Sequence, residues 1–143
     1  MKKTLHLPDT NYVLRYLLRD VEEQFSEASR FFETILTGKS SALISEAVLV
    51  ECQYILMKYY QVPRGSISSS LTSLLQYKGM IAQERDVLVR SLAIFAETSL
   101  DPVDCLLAAR AESTGSMVMT FDKALKARCK PPQPSGQERK SDT

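Results

Sequence analysis

Histidine is nearly absent from this chain, and that shortage removes more chemistry than any other feature of its composition. With His6 alone, Ser-His-Asp hydrolysis, Cys-His proteolysis and multi-histidine zinc sites all lack a necessary partner. Cysteine is also scarce. Cys52, Cys105 and Cys129 are odd in number, widely spaced and form no C-x-x-C pair. This argues against a disulfide scaffold and a zinc ribbon and predicts free thiols, the first two in the core. No apolar run approaches the ~20 residues that span a bilayer, and the apolar stretch in the opening MKKTLHLPDTN is too short for a secretion signal. A cytoplasmic protein with no membrane partner is the expectation. A large charge of one sign is missing too: the formal net charge is +1, so any nucleic-acid binding needs a local basic patch. Catalysis, if there is any, must come from carboxylates.

What is present fits an ordinary folded domain. The chain has 143 residues, 44% hydrophobic and 24% charged, the size of one hydrophobic core. One domain is expected over residues 1–130. The stretch PPQPSGQERKSDT from Pro131 onward carries proline, glycine, serine and charge without apolar periodicity and is expected to be disordered.

Apolar spacing predicts a strand over residues 4–7 and a helix over 11–18. A second helix over 22–36 runs through Phe25, Ala28, Phe32 and Ile35 and ends near Gly38. A short strand follows at 42–44, then Ser45 as the N-cap of a helix reaching Tyr59. Further helices are predicted from Pro63 to Lys78-Gly79, over 83–97, and over 104–112, the last closed by Gly115. Met117-Val118-Met119-Thr120 has the length and apolarity of a buried strand. Strands alternating with helices imply right-handed crossovers and an α/β fold, a three-layer α/β/α sandwich around a short, mainly parallel sheet.

Four carboxylates stand where chemistry could gather. Asp9 and Asp122 each follow a predicted strand, and open parallel sheets bind ligands outside the carboxyl ends of their strands. Helix capping is the competing use of aspartate there, and two at equivalent positions favour a site. Glu51 lies about 160° around its helix from Gln53 at ~100° per residue, and Gln53 shares a polar stripe with Glu46. That turns Glu51 onto an apolar face beside Ala47, Val48, Tyr54 and Ile55, where an ionised carboxylate is costly unless paired with a cation side chain or bound to metal. Asp101-Pro102-Val103-Asp104 has the spacing of a capping box, which by itself explains both acids. Asp104, however, also heads the stripe Leu107, Ala108, Ala111. We therefore assign Asp101 to capping, with a place as an outer ligand, and Asp104 to the site.

Several carboxylates together repel unless a hard divalent cation neutralises them, which points to Mg2+ or Mn2+ held by Asp9, Glu51, Asp104 and Asp122. With a phosphodiester as substrate, such ions activate water and stabilise the leaving oxygen. Asn11 and Thr120 suit supporting hydrogen bonds, and turn residues of those types need no such role. Lys123, Lys126 and Arg128 could hold a phosphate backbone; a solvated helix face explains them equally well. His6 reads as a packed or edge residue.

In this order the segments Asp9-Thr10-Asn11, Val48-Leu49-Val50-Glu51, Asp101-Pro102-Val103-Asp104-Cys105-Leu106-Leu107-Ala108-Ala109 and Thr120-Phe121-Asp122-Lys123 resemble the PIN-domain nucleases, and among them the VapC-like toxins of toxin-antitoxin pairs. The resemblance runs from about Thr4 to Lys126. It implies a Mg2+- or Mn2+-dependent endoribonuclease acting on RNA, with Asp9, Glu51, Asp104 and Asp122 as the acidic quartet. It also implies a homodimer and a small cognate antitoxin protein that blocks the site. Two departures stand out: Pro8 precedes Asp9 where the family has an apolar strand residue, and Arg128-Cys129-Lys130-Pro131-Pro132 lacks the pattern of the final strand expected after Asp122. Two other readings remain at this stage: a nuclease of the same fold in RNA maturation or DNA cleavage, and a non-catalytic interaction module whose acids cap helices.

Overall fold

The computed structural model describes residues 4–130. It is mostly helical around a short three-stranded parallel sheet, in keeping with the α/β/α arrangement expected. Strand β1 (Leu5–His6) pairs with β2 (Ser41–Leu43) in the register Leu5 to Ser41, and β2 pairs with β3 (Met80–Ile81) in the register Ala42 to Met80. The order β1-β2-β3 leaves β1 at one edge. Parallel neighbours need crossover connections, supplied here by helices α1 (Thr10–Leu18) and α2 (Glu22–Leu36) before β2, and by α3 (Glu46–Tyr54) and α4 (Arg64–Leu75) before β3.

Helix α2 spans the predicted residues and buries Ala28, Phe32 and Ile35, one stripe at helical spacing. It packs on α1 through aromatic contacts: Tyr16 stacks on Phe32 with centroids 4.4 Å apart, and Tyr12 meets Phe31 edge-on at 5.6 Å. Ser45 caps α3 as expected, its hydroxyl accepting from the Val48 N–H. The end of that helix widens into a π-helical turn over Ile55–Tyr59. Helix α5 (Arg85–Glu97) packs between α4 and α6 (Pro102–Thr114), and α7 (Lys123–Arg128) closes against α6. Gly115, at φ +71°, takes the left-handed cap of α6 that only glycine adopts freely.

The sequence reading is corrected at two strands. Strand β3 was not anticipated, and the expected strand at Met117–Thr120 does not form: these residues belong to no sheet among the described residues. Met117 and Met119 are 70% and 88% exposed, so the run is apolar without being buried. The segment expected to be disordered, 131–143, lies outside the described residues. Of the stretch in which a final strand was sought, Arg128 closes α7 and Cys129 and Lys130 form no strand, while Pro131 and Pro132 lie outside the described residues. Cys52 and Cys105 are buried free thiols as expected, and Cys129 is half-buried. His6 is a packed residue, with Nδ1 2.9 Å from the Ser41 carbonyl oxygen and its ring edge-on to Phe31. Among the described residues no helix is long and apolar enough to cross a membrane.

Candidate active site

The acids fall into two groups, one at the start of α1 with Glu51 of α3, the other at the starts of α6 and α7. The first forms where β1 gives way to α1. Asp9 is the N-cap of α1, its carboxylate accepting from the Tyr12 N–H at 2.8 Å, so capping and a ligand role coincide in one residue. Thr10, only 8% exposed, donates its hydroxyl to the Glu51 carboxylate. This bond ties α1 to α3 and brings Glu51 beside Asp9. Burial, followed by the charges of Glu51 and Asp9, pushes the Cys52 thiol up to about 12. Thr10 was missed in the sequence. Its signal was a hydroxyl directly after the strand-end acid, at a position where α1 turns inward.

The reason given for Glu51 is corrected. Glu51 is exposed, and it is Gln53 that is fully buried, with Leu49, Cys52 and Leu56 on the same stripe. Helix α3 is apolar almost all round, so a wheel drawn from its sequence does not reveal which face its neighbours cover. Here α1 and α6 cover it. Glu51 meets Thr10, the neighbour of Asp9, at the edge of the packed surface instead of within it.

The second group forms at the start of α6. Asp101 occupies the N-cap position with Pro102 at N1, yet its side chain makes no capping hydrogen bond. The expected capping box is therefore not formed, and the Asp101 carboxylate is left to the site. Burial, then the charges of Asp101 and Asp122, raise the Asp104 pKa above its ordinary value, which places both acids within electrostatic reach of Asp104. The stripe used to orient Asp104 is also corrected: Leu107 is 41% exposed, and α6 buries Pro102, Cys105, Leu106, Ala108 and Ala109. Asp104 is nonetheless half-buried. Asp122 caps α7, accepting from the Leu125 N–H at 2.8 Å; it follows an extended segment instead of the predicted strand. Thr120 supports it, its hydroxyl accepting from the Asp122 N–H at 3.0 Å.

Tyr54 stands on α3 three residues beyond Glu51, where burial, followed by the charges of Asp101 and Asp104, raises its pKa. The same helix thus touches both groups of acids. Asn11 lies with Asp9 on the wall of a cavity of about 420 Å3 that also takes in Arg15, Glu23 and Glu27. Among the basic residues, Arg128 is drawn to Glu112 at 3.5 Å, whereas Lys123 and Lys126 form no ion pair among the described residues.

The donors suit a hard divalent cation in kind, since all of them are carboxylate or hydroxyl oxygens. No arginine or lysine forms an ion pair with Asp9, Glu51, Asp101, Asp104 or Asp122 among the described residues. In spacing the set is not a closed cage: among the described residues no three His, Cys, Asp or Glu side chains stand close enough together to hold an ion.

A family described as PIN domain matches residues 7–131 of the chain. No curated protein and no solved structure is matched.

Proposed function

The chain belongs to the PIN-domain family, whose members are generally nucleases that use divalent metal ions, and from that premise we propose that it is a Mg2+- or Mn2+-dependent endoribonuclease, the toxin of a toxin-antitoxin pair. The observation that supports this reading best is the set of carboxylates without cationic partners among the described residues. Thr10 beside Asp9 bonds Glu51, and at the start of α6 burial, then the charges of Asp101 and Asp122, disfavour the ionised Asp104. Several arginines elsewhere are ion-paired: Arg15 with Asp20, Arg90 with Glu112, Arg110 with Glu46 and Glu84. Burial and like charge left unrelieved at these acids are what a bound cation would compensate.

Asp9, Glu51, Asp104 and Asp122 would supply oxygen ligands to one or two ions, with Asp101 as an outer acid. When bound, a divalent ion supplies a lowered pKa for an attacking water and charge neutralisation on the phosphodiester. The chain's own residues do the positioning. The Tyr12 and Leu125 N–H groups fix the Asp9 and Asp122 carboxylates, the Thr10 hydroxyl orients Glu51, and Thr120 holds the turn that presents Asp122. The partners on this reading are RNA, a small cognate antitoxin that covers the acids, and a second copy of the chain in a homodimer.

Cleavage of RNA by the purified chain tests it. Mn2+ or Mg2+ should support cleavage, while chelation or Asp9→Asn should abolish it with the melting transition retained. Undiminished cleavage by Asp9→Asn rejects the proposal.

A further inference from the structure

Asp122 is held from the chain that follows it more than from the chain that leads to it. A strand-end acid in a sheet is fixed by ladder hydrogen bonds on its approach. Here the approaching segment pairs with no strand among the described residues, and Met117, Met119 and Phe121 are exposed on it. Asp122 takes its position from α7, which it caps. A helix of six residues is too short to hold together by itself in water, so α7 stands where its docking contacts put it.

Leu125, buried in the core, is one such contact. Arg128, the last residue of α7, makes another: its Nη2 lies 3.5 Å from Oε1 of Glu112 on α6. Glu112 is set for that contact from its other side, where Arg90 of α5 forks onto both carboxylate oxygens. The Arg90 Nε donates to Oε2 at 2.9 Å and its Nη2 to Oε1 at 3.3 Å, a bidentate geometry that fixes direction as well as charge. The Arg90 hydrogen bond, opposed by burial and helped by the charges of Arg90 and Arg128, holds the Glu112 carboxyl below its ordinary value. One acid therefore joins α5, α6 and α7. At ~1.5 Å rise per residue, Arg128 stands about 9 Å along α7 from Asp122, so the triad reaches Asp122 only through the helix.

We propose that Glu112 is a positioning residue for Asp122: clamped by Arg90, it holds Arg128 and with it α7, and so aims the Asp122 carboxylate at the cation. The inference rests on the nuclease reading above, in which Asp122 is a cation ligand, and adds to it a remote residue on which that ligand depends. It also gives Arg128 a task within the fold, distinct from that of the unpaired Lys123 and Lys126.

The test is Mn2+ affinity of the full chain by isothermal titration calorimetry. No RNA is present, so a lost phosphate contact cannot mimic the effect, and the melting transition shows that each variant folds. Arg128→Glu sets an acid against Glu112 and should weaken Mn2+ binding roughly fivefold, the scale of an exposed ion pair turned to repulsion. Its added negative charge acts the other way, since by itself it would attract the cation. Combining Arg128→Glu with Glu112→Arg restores opposite charges on α6 and α7 at the wild-type net charge and should recover most of the affinity. In an Asp122→Asn background, where asparagine still caps α7, Arg128→Glu should change Mn2+ affinity little, because the ligand it misplaces is already gone. Wild-type affinity in Arg128→Glu, no recovery in the charge swap, or an equal loss in the Asp122→Asn background overturns the positioning role and leaves the nuclease reading standing. A wild type that binds no Mn2+ removes that reading and the inference with it.

Discussion

Gln53 is fully buried, and neither its Nε2 nor its Oε1 has a hydrogen-bond partner among the described residues. A buried amide left unpaired costs about 1–3 kcal/mol. Gln53→Met keeps the length of the side chain and removes both polar atoms, so it should raise unfolding stability by about that amount, read as a higher urea midpoint with an unchanged slope. An equal or lower midpoint would show that the amide finds a partner in solution. Single residues were also where the sequence was hardest to read. Asp9, Asp122 and Ser45 were legible because a cap is a local arrangement, fixed by the few residues after it. Glu51 and Gln53 were not, because which face of α3 is buried depends on α1 and α6, far away in the chain. The wheel assigned the two to opposite faces and put them on the wrong ones.

Among the elements, the start of α6 depends on Arg64. Its Nε donates to the Phe95 carbonyl at 2.8 Å, its Nη2 donates to the Leu100 carbonyl, and its guanidinium lies 3.8 Å from the Phe95 ring centroid. Leu100 is the residue before Asp101, so the first turn of α4 anchors the chain just where the second group of acids begins. A lysine cannot reproduce a planar fork that bonds two carbonyls while covering a ring. Arg64→Lys should therefore cost roughly 2 kcal/mol in stability and lower RNA cleavage, measured by chemical denaturation and initial rates. Wild-type values for both would show that α6 starts correctly without the clamp. The helices were legible as elements because their apolar spacing repeats over three or four turns. Strand β3 was not: two residues carry no period, and it exists because Gly79 lets the chain lie against β2. The Gly79 N–H donates to the Ile35 carbonyl at 2.8 Å, its own carbonyl accepts from the Ala42 N–H at 3.0 Å, and a Cβ there would run into the Ser40 carbonyl oxygen. The reverse error, at Met117–Thr120, arose because exposed apolar residues look in sequence just like buried ones.

For the whole molecule, the fold places the acids at residues 9, 51, 101, 104 and 122 on α3 and at the starts of α1, α6 and α7, and leaves them unpaired with any cationic side chain among the described residues. The account predicts that such repulsion is a cost to the metal-free chain and the source of its affinity for a cation. Asp104 carries the clearest sign of it. Because its folded pKa lies above the ordinary carboxylate value, its ionised form is less favourable in the fold than in the unfolded chain. The cost is present at neutral pH and is relieved as pH falls through the raised folded value toward the unfolded one. Asparagine cannot ionise and escapes it. The direct test is the melting temperature of the wild type and of Asp104→Asn at neutral pH, each with and without Mn2+. The wild type should gain stability with Mn2+, by about 2.7 kcal/mol at a hundredfold excess over the dissociation constant. Asp104→Asn should melt higher than the wild type without metal and gain little from it. Equal metal-free melting temperatures together with equal Mn2+ shifts would contradict the claim that these acids are gathered for a cation.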